Sequence, residues 1–450
     1  MSSIKIIQSK DIPEDFFKPR KLGSDVGPIV QQILDDVKTR GDEALHELSK
    51  KFDRSAPDSF EISIEDLKAA ADRMKSDRPE LYSALCLSRD LALQFSAKQR
   101  ECFTDFETEL SPGLFTGQKT IAVEKAGVYV PAGRFPLLSS VIMCTTPAIA
   151  AGCKEVILCT PPMPHPDGCD AQGKVKPYAD EGIMAAAYIC GVTRVFAVGG
   201  AQAVGAMAFG TNTVPQVQVI AGPGNKFVAE AKRQVYGNVG IDFVAGPTEV
   251  FIIADESANP AWVAADMLAQ AEHDSDAQAI MVTTSAPLAE KVSQQIEEQL
   301  SVLKTNATAG ASIDKNGLII VCKNLEEAAE IANKKAPEHL ELAMDDTPVR
   351  RELSEKVCNF GSLFIGHESA EVLGDYAAGL NHTLPTSGSA RFTGGLSVRH
   401  FLKTVTTLRT ENENGSSIKA GTLASLKAAA VLGDTEGLAG HANAARVRLN

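Results

Sequence analysis

Between residues 121 and 324, short apolar strands alternate with helix-like segments. Strand-like runs occur at IAVEKAGVYV, EVILCTPP, TRVFAVGG and VQVIAGPG, and segments such as SSVIMCTTPAIAAG and ADEGIMAAAYICG separate them. Further strand-like runs follow at VAGPTEVFIIAD, AIMVTTS and GLIIVCKN. Strands that alternate with helices form parallel sheets, because each crossover helix returns the chain to the same edge. The sequence therefore predicts an α/β fold, with ligands expected beyond the carboxyl ends of the strands.

Helical periodicity predominates on both sides of this alternation. Apolar residues recur at helical spacing over residues 25–48 and 64–98, and the chain from Thr422 onward is again strongly helical. The Pro- and Gly-rich stretch 162–177 predicts a surface excursion, and loops are expected after about residue 385. We therefore expect two α/β lobes, an N-terminal helical segment and a C-terminal helical tail.

Charge and cysteine usage exclude several classes of protein. The 450 residues carry a formal net charge of −13, so attraction to a nucleic-acid backbone or an anionic lipid surface is not the main activity. The N-terminal residues lack the apolar core of a signal peptide, and the apolar stretch 141–153 is too short to span a bilayer. The nine cysteines contain no CxxC pair, which favours reduced thiols in the cytoplasm over a cysteine-only zinc site.

Two glycine-rich loops follow predicted strands. VGGAQAVG and AGPGNK each begin a helix, but neither matches the dinucleotide fingerprint GxGxxG or the P-loop. Glycines at a strand end allow close approach of a ligand and expose helix N-terminal N–H groups to an anion. Each loop alone is compatible with a tight turn, whereas the two together favour a nucleotide crevice.

Polar residues also occur where the apolar pattern predicts burial or a strand entrance. In NPAWVAADMLAQAEHD, Asn259 can cap a helix, and Gln270 falls on its apolar side with His273 one turn later. Such a pair must be satisfied, either by hydrogen bonds in the core or by a metal ion. In KKAPEHLEL, Glu338 and His339 precede a predicted strand, as a surface pair or as an acid–base pair.

Two further stretches combine carboxylates with histidine. Glu371 and Asp375 lie four residues apart on one predicted helical face, and His382 follows in a loop. Two carboxylates at this spacing repel each other unless a cation is near, so the face is either solvated or a cation site. In the tail, Glu436 and His441 lie about 140° apart on an ideal helix. They therefore lie at a frayed helix end or serve different sites.

Together these stretches resemble the histidinol dehydrogenase family. The matching segments run in the family's order from about residue 20 to the C-terminus: GVYVPAGRFPLLSSV, VGGAQAVGAMAFGT, AGPGNKFVAEAKRQV, DFVAGPTEV, DMLAQAEHD, APEHLEL, LGDYAAGLNHTLPT and EGLAGHANAARVRL. The resemblance implies oxidation of L-histidinol to L-histidine through the aldehyde, with two NAD⁺ reduced and one Zn²⁺ per subunit. It also implies a homodimer with shared active sites.

The resemblance further implies a domain organisation. An N-terminal arm would span 1–24, and a first Rossmann-like lobe with the catalytic and metal residues would combine 25–128 and 245–385. A second, nucleotide-binding Rossmann-like lobe would span 129–244. Residues 386–450 would form a helical tail that is exchanged between the two subunits of the dimer.

Site residues are likewise implied by matching positions. His339 would accept the alcohol proton as hydride leaves and act again in the second oxidation, and Glu338 would activate water. A donor set of Gln, His, Asp and His suits zinc, and its histidine from the tail would come from the partner subunit. The implied metal ligands are Gln270, His273, Asp375 and His441. The implied substrate contacts are Thr248, Gln270, His273, His339, Glu371, Asp375, His382, Glu436 and His441. The implied NAD contacts are Tyr129, Gln202 and Asn225.

Several positions depart from the family's usual motifs. Thr248 stands where the family usually has a substrate-contacting serine, PAG replaces PGG, AEHDS replaces AEHDP, and ARFTGGLSVRHFLKT also differs. One alternative is therefore a paralogue that oxidises another alcohol to an acid, such as a sulfopropanediol dehydrogenase, with Arg134 and Arg391 as candidate cations for a sulfonate. The other is an inactive zinc-binding dimer. The cationic amino alcohol is favoured because three carboxylates of the implied site would suit its ammonium group.

Overall fold

The computed structural model describes residues 4–20, 26–132, 136–413 and 417–449. Within these residues the chain forms helices that match the predicted periodic segments in type and in order. The helices are α1 (Gly27–Arg40), α2 (Asp42–Phe52), α3 (Ile64–Asp77), α4 (Pro79–Glu101), α5 (Leu138–Ala151), α6 (Glu181–Ile189), α7 (Gly200–Phe209), α8 (Lys226–Val235), α9 (Pro260–Ala271), α10 (Ala286–Val302), α11 (Asn306–Asn316), α12 (Leu325–Lys335), α13 (Pro348–Lys356), α14 (Glu371–Tyr376), α15 (Ala420–Thr435) and α16 (Ala439–Arg446).

Strands alternate with these helices through the centre of the chain, as the sequence predicts. The strands are β1 (Lys5–Gln8), β2 (Glu61–Ile62), β3 (Phe106–Ser111), β4 (Leu114–Ala122), β5 (Lys125–Tyr129), β6 (Glu155–Thr160), β7 (Arg194–Ala197), β8 (Val219–Ala221), β9 (Gly240–Ile241), β10 (Glu249–Ala254), β11 (Gln278–Thr283), β12 (Leu318–Val321), β13 (His339–Ala343), β14 (Ser362–Ile365), β15 (Leu402–Thr410), β16 (Asn412–Glu413) and β17 (Ser417–Ile418). Two compact units result, of which one combines Met1–Ala97 with Val123–Phe401 and the other Lys98–Ala122 with Leu402–Asn450.

The first sheet of the larger unit is wholly parallel, in the order β1-β12-β11-β10-β13-β14. Its centre is buried on both faces, because side chains on a strand point alternately to opposite sides. Val250 and Ile252 of β10 join the core beneath α9 and α10, whereas Phe251 and Ile253 join the core beneath α12 and α13. The chain moves outward from β10 to β12, then returns to β13 and moves outward on the other side. The switch point of this sheet therefore lies between β10 and β13.

The second sheet has the same winding, in the order β2-β7-β6-β5-β8-β9. All its neighbouring strands are parallel except β2, which runs antiparallel to β7. Its switch point lies between β5 and β8. Two doubly wound sheets of this kind confirm the predicted α/β class with two Rossmann-like lobes.

The predicted boundaries of the N-terminal arm and of the first lobe differ from the structure. We expected 25–128 in the first lobe, but α1 and α2 pack into the core of the second sheet, and β2 and β5 are strands of that sheet. We expected 1–24 to be a separate arm, but β1 forms an edge strand of the first sheet. These assignments were wrong because both depend on contacts between segments that are far apart in the chain.

The smaller unit contains a three-stranded antiparallel sheet, in the order β15-β4-β3, and the helical pair α15 and α16. We expected loops after residue 385, and β15 contradicts that expectation over residues 402–410. The tail of this unit begins at Leu402 rather than at residue 386, and it is joined by Lys98–Ala122. Among the described residues of the whole chain, no helix is long and apolar enough to cross a membrane.

Candidate active site

The candidate residues of the two lobes lie at opposite edges of their sheets. In the second lobe, Tyr129 ends β5 and the AGPGN loop follows β8, so both lie at the carboxyl edge, as predicted. In the first lobe, Thr248 and Glu338 immediately precede β10 and β13, so the candidate catalytic residues lie at the amino edge. Helix α9 runs back from the carboxyl edge and brings Gln270 to the same amino edge. The expectation of a carboxyl-edge site is therefore wrong for the first lobe.

Glu338 is a buried carboxyl group held by two donors. Its Oε2 accepts a hydrogen bond from Thr248 Oγ1 at 2.5 Å and one from the backbone N–H of Glu249 at 2.8 Å. The residue is 5 % exposed. Burial raises the pKa of Glu338 to about 7, and the nearby positive charge of His339 and the two hydrogen bonds oppose that rise. The group can therefore exchange a proton near neutral pH.

His339 is the first residue of β13, and its ring has two distinct environments. Nδ1 lies 3.1 Å from the backbone carbonyl of Glu249, which can only accept, so Nδ1 carries a hydrogen. Nε2 lies 3.5 Å from Asp375 Oδ1 and has no hydrogen-bond partner among the described residues. Burial lowers the pKa of His339, but the carboxylates of Glu338, Asp375 and Glu371 outweigh it and raise the pKa to about 10. Of the two ring nitrogens, Nε2 is thus the one that no backbone group occupies.

Gln270 is fully buried and links two parts of the site. In the amide orientation that satisfies its neighbours, Nε2 donates to both carboxylate oxygens of Glu371, at 2.9 and 3.0 Å, and Oε1 accepts from the Glu249 N–H at 3.0 Å. In this orientation Oε1 also faces the hydroxyl of Thr248, whose single hydrogen can be donated either to Gln270 or to Glu338. Thr248 therefore bridges Gln270 and Glu338. These contacts satisfy the buried amide within the protein.

His273 does not share that burial. Helix α9 ends at Ala271, and His273 is exposed beyond its end, so the expectation of a buried pair is wrong for the histidine. Its charge still reaches the site, because it is one of the groups that lower the pKa of Asp375.

Glu371 and Asp375 lie on the short helix α14, and neither belongs to a solvated acidic face. Glu371 is 1 % exposed, and burial raises its pKa well above the usual range despite the positive charge of His339. Burial also opposes ionisation of Asp375, but His339, His382 and His273 outweigh it and lower its pKa. Asp375 Oδ1 is buried without a hydrogen-bond partner in the described part of the chain. Its ion-pair partner is His339 Nε2 at 3.5 Å, beyond a good hydrogen bond, so another cation could take the place of that partner.

One chain supplies only part of the donor set that a zinc ion would need. Among the described residues, no group of three or more His, Cys, Asp or Glu side chains lies close enough to hold a metal ion. The implied set within one chain contains only two such residues, His273 and Asp375, with Gln270 as the third donor. The unpartnered Asp375 oxygen and the mixed N and O donors fit zinc, provided that a further ligand comes from elsewhere.

His382 connects the site with the second lobe. Its Nδ1 lies 3.1 Å from the carbonyl of Asp375, and its Nε2 lies 3.2 Å from Ser140 Oγ on α5. Burial lowers the pKa of His382. Next to it, Asn381 Nδ2 donates to the carbonyl of Met143, also on α5, at 2.6 Å. The loop that carries Asn381 and His382 in the first lobe therefore contacts the helix that begins at the carboxyl edge of the second.

The predicted nucleotide residues surround the switch point of the second sheet. Tyr129 Oη accepts a hydrogen bond from the N–H of Gly200 at 3.1 Å, at the start of α7, and burial raises its pKa to about 12. Gln202 is 3 % exposed on α7 and hydrogen-bonds to Asp53. Asn225 caps α8 by accepting from the N–H of Phe227 at 2.9 Å. Both glycine-rich loops thus begin helices, as predicted.

A buried ion pair shapes the second glycine loop. Lys232 and Asp242 contact each other with side-chain exposures of 3 % and 0 %. Lys232 Nζ donates to the carbonyl of Gly222 at 2.9 Å, and Asp242 Oδ2 accepts from the N–H of the same residue at 2.9 Å. Gly222 has φ +120°, and a Cβ there would lie 2.1 Å from the carbonyl oxygen of Tyr129. The turn therefore requires glycine, and the ion pair holds both its backbone groups.

The remaining predicted residues make none of the hydrogen bonds described above. Glu436 and His441 belong to the smaller unit, where both are exposed, at the end of α15 and on α16. Arg391 is exposed and donates to the backbone carbonyls of Gly388 at 3.0 Å, Lys334 and Lys335, so its guanidinium holds its own loop against the end of α12. Arg134 lies outside the described residues.

Sequence reasoning missed buried polar residues that surround the site. Glu249 is fully buried directly after Thr248, and its carboxylate accepts from the N–H of Ser387 at 3.1 Å. Glu341 is 4 % exposed in the middle of β13. A carboxylate inside the otherwise apolar run HLELA was the available signal for Glu341, because a strand buried on both faces rarely contains one. The Lys232–Asp242 pair left no comparable signal, since its partners come from separate elements.

Comparison with known proteins identifies the family. The family model described as histidinol dehydrogenase matches residues 18–449. The histidinol dehydrogenase of Streptococcus mutans is 42 % identical over 424 residues, which cover 94 % of this chain and 93 % of that protein. That of Escherichia coli is also 42 % identical over 424 residues, covering 94 % and 91 %. A crystal structure of histidinol dehydrogenase from Elizabethkingia anophelis covers 100 % of this chain and 98 % of that chain, with a TM-score of 0.87 and 33 % identity. The chain therefore belongs to the histidinol dehydrogenase family and is an enzyme of the dehydrogenase class.

Proposed function

We propose that the enzyme oxidises L-histidinol to L-histidine through L-histidinaldehyde, with reduction of two NAD⁺, as the last steps of histidine biosynthesis. The observation that carries this proposal is the buried Glu338–His339 pair at the first-lobe switch point, beside the carboxylates of Glu371 and Asp375. A general base, a water-activating carboxyl and acidic side chains that a bound cation keeps ionised are the groups that stepwise oxidation of a cationic amino alcohol to an acid requires.

His339 acts as the general base at Nε2. Because Nδ1 donates to the Glu249 carbonyl, the ring is oriented and the free lone pair of the neutral imidazole is on Nε2. The surrounding carboxylates hold the ring protonated when no cation is bound, with a pKa of about 10. A cationic ligand that neutralises those carboxylates leaves burial as the main influence, which lowers the pKa of His339 toward the range of a base. Binding of the amino alcohol thus prepares the base.

Glu338 acts in the second half of the reaction. Its pKa of about 7 allows the carboxylate to take a proton from water as that water adds to the aldehyde. Thr248 and the Glu249 N–H hold Oε2, so the other carboxylate oxygen is the one that faces the reaction. His339 releases the first proton to solvent and then accepts a second one as the hydrated aldehyde loses hydride to the second NAD⁺.

Zinc and NAD⁺ would be held by separate groups. The zinc ligands would be Gln270, His273, Asp375 and His441, of which the last would come from the partner subunit; bound zinc would supply a Lewis acid that anchors the substrate imidazole. Gln270 would have to exchange its internal hydrogen bonds for this role. NAD⁺ would lie against Tyr129, Gln202 and Asn225 at the carboxyl edge of the second lobe.

A homodimer with shared sites is supported by the smaller unit. Its described residues expose large apolar side chains, which is typical of a surface that another protein covers. They are Phe106, Leu110, Ile121, Leu408, Val431, Leu432, Leu438 and Val447. His441 and Glu436 are exposed in the same unit and would be available to a second chain, where Glu436 would contact the substrate together with Thr248, Glu371 and His382. With nine cysteines in the free state, we place this dimer in the cytoplasm.

A substrate panel tests the proposal. We expect purified enzyme to form two NADH for each L-histidinol, and chelation of the metal to remove the activity. Turnover of a sulfonated or other diol in place of histidinol would favour a paralogue, and no turnover with any alcohol would favour an inactive zinc-binding protein. The structure offers little support for sulfonate binding, because the described site is lined by carboxylates and Arg391 is used elsewhere.

A further inference from the structure

Strand β13 carries two polar side chains on one face. His339 and Glu341 are two residues apart, so both point to the same side of the sheet, whereas Leu340 and Leu342 pack into the core on the other side. Glu341 is 4 % exposed, and a buried carboxyl group must be satisfied by specific partners. The same strand therefore holds the proposed base and a second acid behind it.

Glu341 is satisfied by the backbone of α14. Its Oε1 accepts a hydrogen bond from the N–H of Glu371 at 2.9 Å, and Glu371 is the first residue of that helix. The preceding residue, Ala370, has no polar side chain that could cap the helix. The first N–H groups of a helix have no partner within it, so a carboxyl from a neighbouring strand stabilises this end. Because α14 has only six residues, this contact constrains the whole helix, including Asp375 one turn later.

A second acid stands opposite Glu341. Asp266, on α9 one turn before Gln270, lines a small pocket together with Glu341, Trp262 and His367. Burial and the charge of Asp266 raise the pKa of Glu341 to about 8, and burial raises that of Asp266 to about 7. Near neutral pH, Glu341 is therefore mostly the uncharged acid, whose carbonyl oxygen can still accept the Glu371 N–H.

We propose that Glu341 is a positioning residue, which holds the first turn of α14 against β13 and thereby sets the places of Glu371 and Asp375 relative to His339. The consequence for zinc rests on the proposed function, in which Asp375 is a metal ligand. The contact itself does not, because it is made within the protein.

Two conservative variants of Glu341 separate the effect of side-chain length from the effect of the carboxyl group. Glu341→Gln keeps the length of the side chain and an acceptor oxygen, so we expect zinc affinity and the Michaelis constant for histidinol within about threefold of the wild-type values. Glu341→Asp keeps the carboxyl but shortens the side chain by one methylene, so it loses the Glu371 N–H. Outer partners that orient metal ligands typically contribute about 10- to 100-fold in affinity, and we expect a loss of that size for Glu341→Asp. Zinc affinity is measured by competition with a chelator.

Hydrogen exchange tests the contact without a metal or substrate. We expect the segment 371–376 to exchange about tenfold faster in Glu341→Asp than in wild type, and at the wild-type rate in Glu341→Gln. Thr347→Ala is the matched control, because Thr347 caps α13 in the same lobe by accepting from the N–H of Arg350. It should leave both the zinc affinity and the exchange of 371–376 unchanged.

The outcomes distinguish this inference from the proposed function. The positioning role is wrong if Glu341→Asp shows the wild-type hydrogen exchange of 371–376 and the wild-type zinc affinity. It is also wrong if Glu341→Gln loses as much zinc affinity as Glu341→Asp. If Glu341→Asp does not fold, Glu341→Gln alone decides, since the inference requires it to behave like wild type. If the wild-type enzyme binds no zinc, the proposed metal site fails, and the exchange comparison still decides the role of Glu341.

Discussion

Removing Lys232 should destabilise the second lobe and weaken nucleotide binding. Breaking a buried ion pair by deleting one partner typically costs about 3–5 kcal/mol, because the other charge stays buried. In Lys232→Met, Asp242 still accepts hydrogen bonds from the N–H groups of Gly222 at 2.9 Å and Phe243 at 2.7 Å. We therefore expect the free energy of unfolding to fall by about 3 kcal/mol, the lower end of that range. At about 3 kcal/mol per molar urea, the unfolding midpoint falls by about 1 M.

Nucleotide binding should weaken along with stability. Lys232 also holds the carbonyl of Gly222, three residues before Asn225, so the loop that would bind NAD⁺ loses one of its two anchors. A loss of about 1.4 kcal/mol corresponds to a tenfold rise in the Michaelis constant for NAD⁺. The turnover number should change less, because the reacting groups belong to the other lobe.

The assays are urea unfolding followed by circular dichroism, and steady-state kinetics with NAD⁺ varied. In the double variant Lys232→Met/Asp242→Asn no buried charge is left, so most of the lost stability should return. Lys68→Met is the control, because Lys68 pairs with Asp72 on an exposed helix face and should change stability by less than about 0.5 kcal/mol. A loss below about 1 kcal/mol in Lys232→Met, or a double variant less stable than either single one, would refute the reasoning.

Four further predictions concern the residues of the candidate active site. Thr248→Val removes the hydroxyl that bridges two site residues and should lower kcat/KM for histidinol by about 10- to 100-fold, whereas Thr248→Ser should stay close to wild type. Glu338→Gln should reduce alcohol-to-acid turnover far more than reduction of the aldehyde, both measured by NADH absorbance. Mixed dimers of His273→Ala and His441→Ala chains should regain activity through one intact shared site. The free energy of unfolding of the metal-free enzyme, measured in urea, should fall as pH rises from 5 to 8. Burial raises the pKa of Glu338 to about 7 and that of Glu341 to about 8 in the folded state. The unfolded state therefore loses these protons at lower pH than the folded state, and this favours unfolding as pH rises.

Each expectation has a contrary result. Equal activity of Thr248→Val and Thr248→Ser would mean that the hydroxyl orients nothing. Equal losses in both directions for Glu338→Gln would contradict its action on water. Verified mixed dimers without activity would argue against a shared site. Stability that rises between pH 5 and 8 in the metal-free enzyme would mean that the buried acids are ionised in the folded state.

Local patterns determined the elements of this protein. The alternation of buried strands and helices predicted the parallel sheets, and Asn259 caps α9 where the sequence placed a helix start. These predictions hold because caps and periodicity depend on neighbours within one or two turns. The β3, β4 and β15 strands were missed, because several of their side chains on both faces are exposed and the apolar alternation that signals a half-buried strand is weak.

The residues that the site would use were named from the sequence, but their arrangement was not. Motifs located Glu338 and His339 before a strand, whereas only the tertiary structure decided that the first lobe presents its amino edge. The pKa values of Glu338 and His339 depend on burial, on each other's charge, and also on carboxylates more than thirty residues away in the chain. The contact between Glu341 and the first N–H of α14 likewise joins two separate elements. Sequence alone therefore determined which chemical groups are available, and folding decided which of them face each other, because charge and hydrogen bonding act through space.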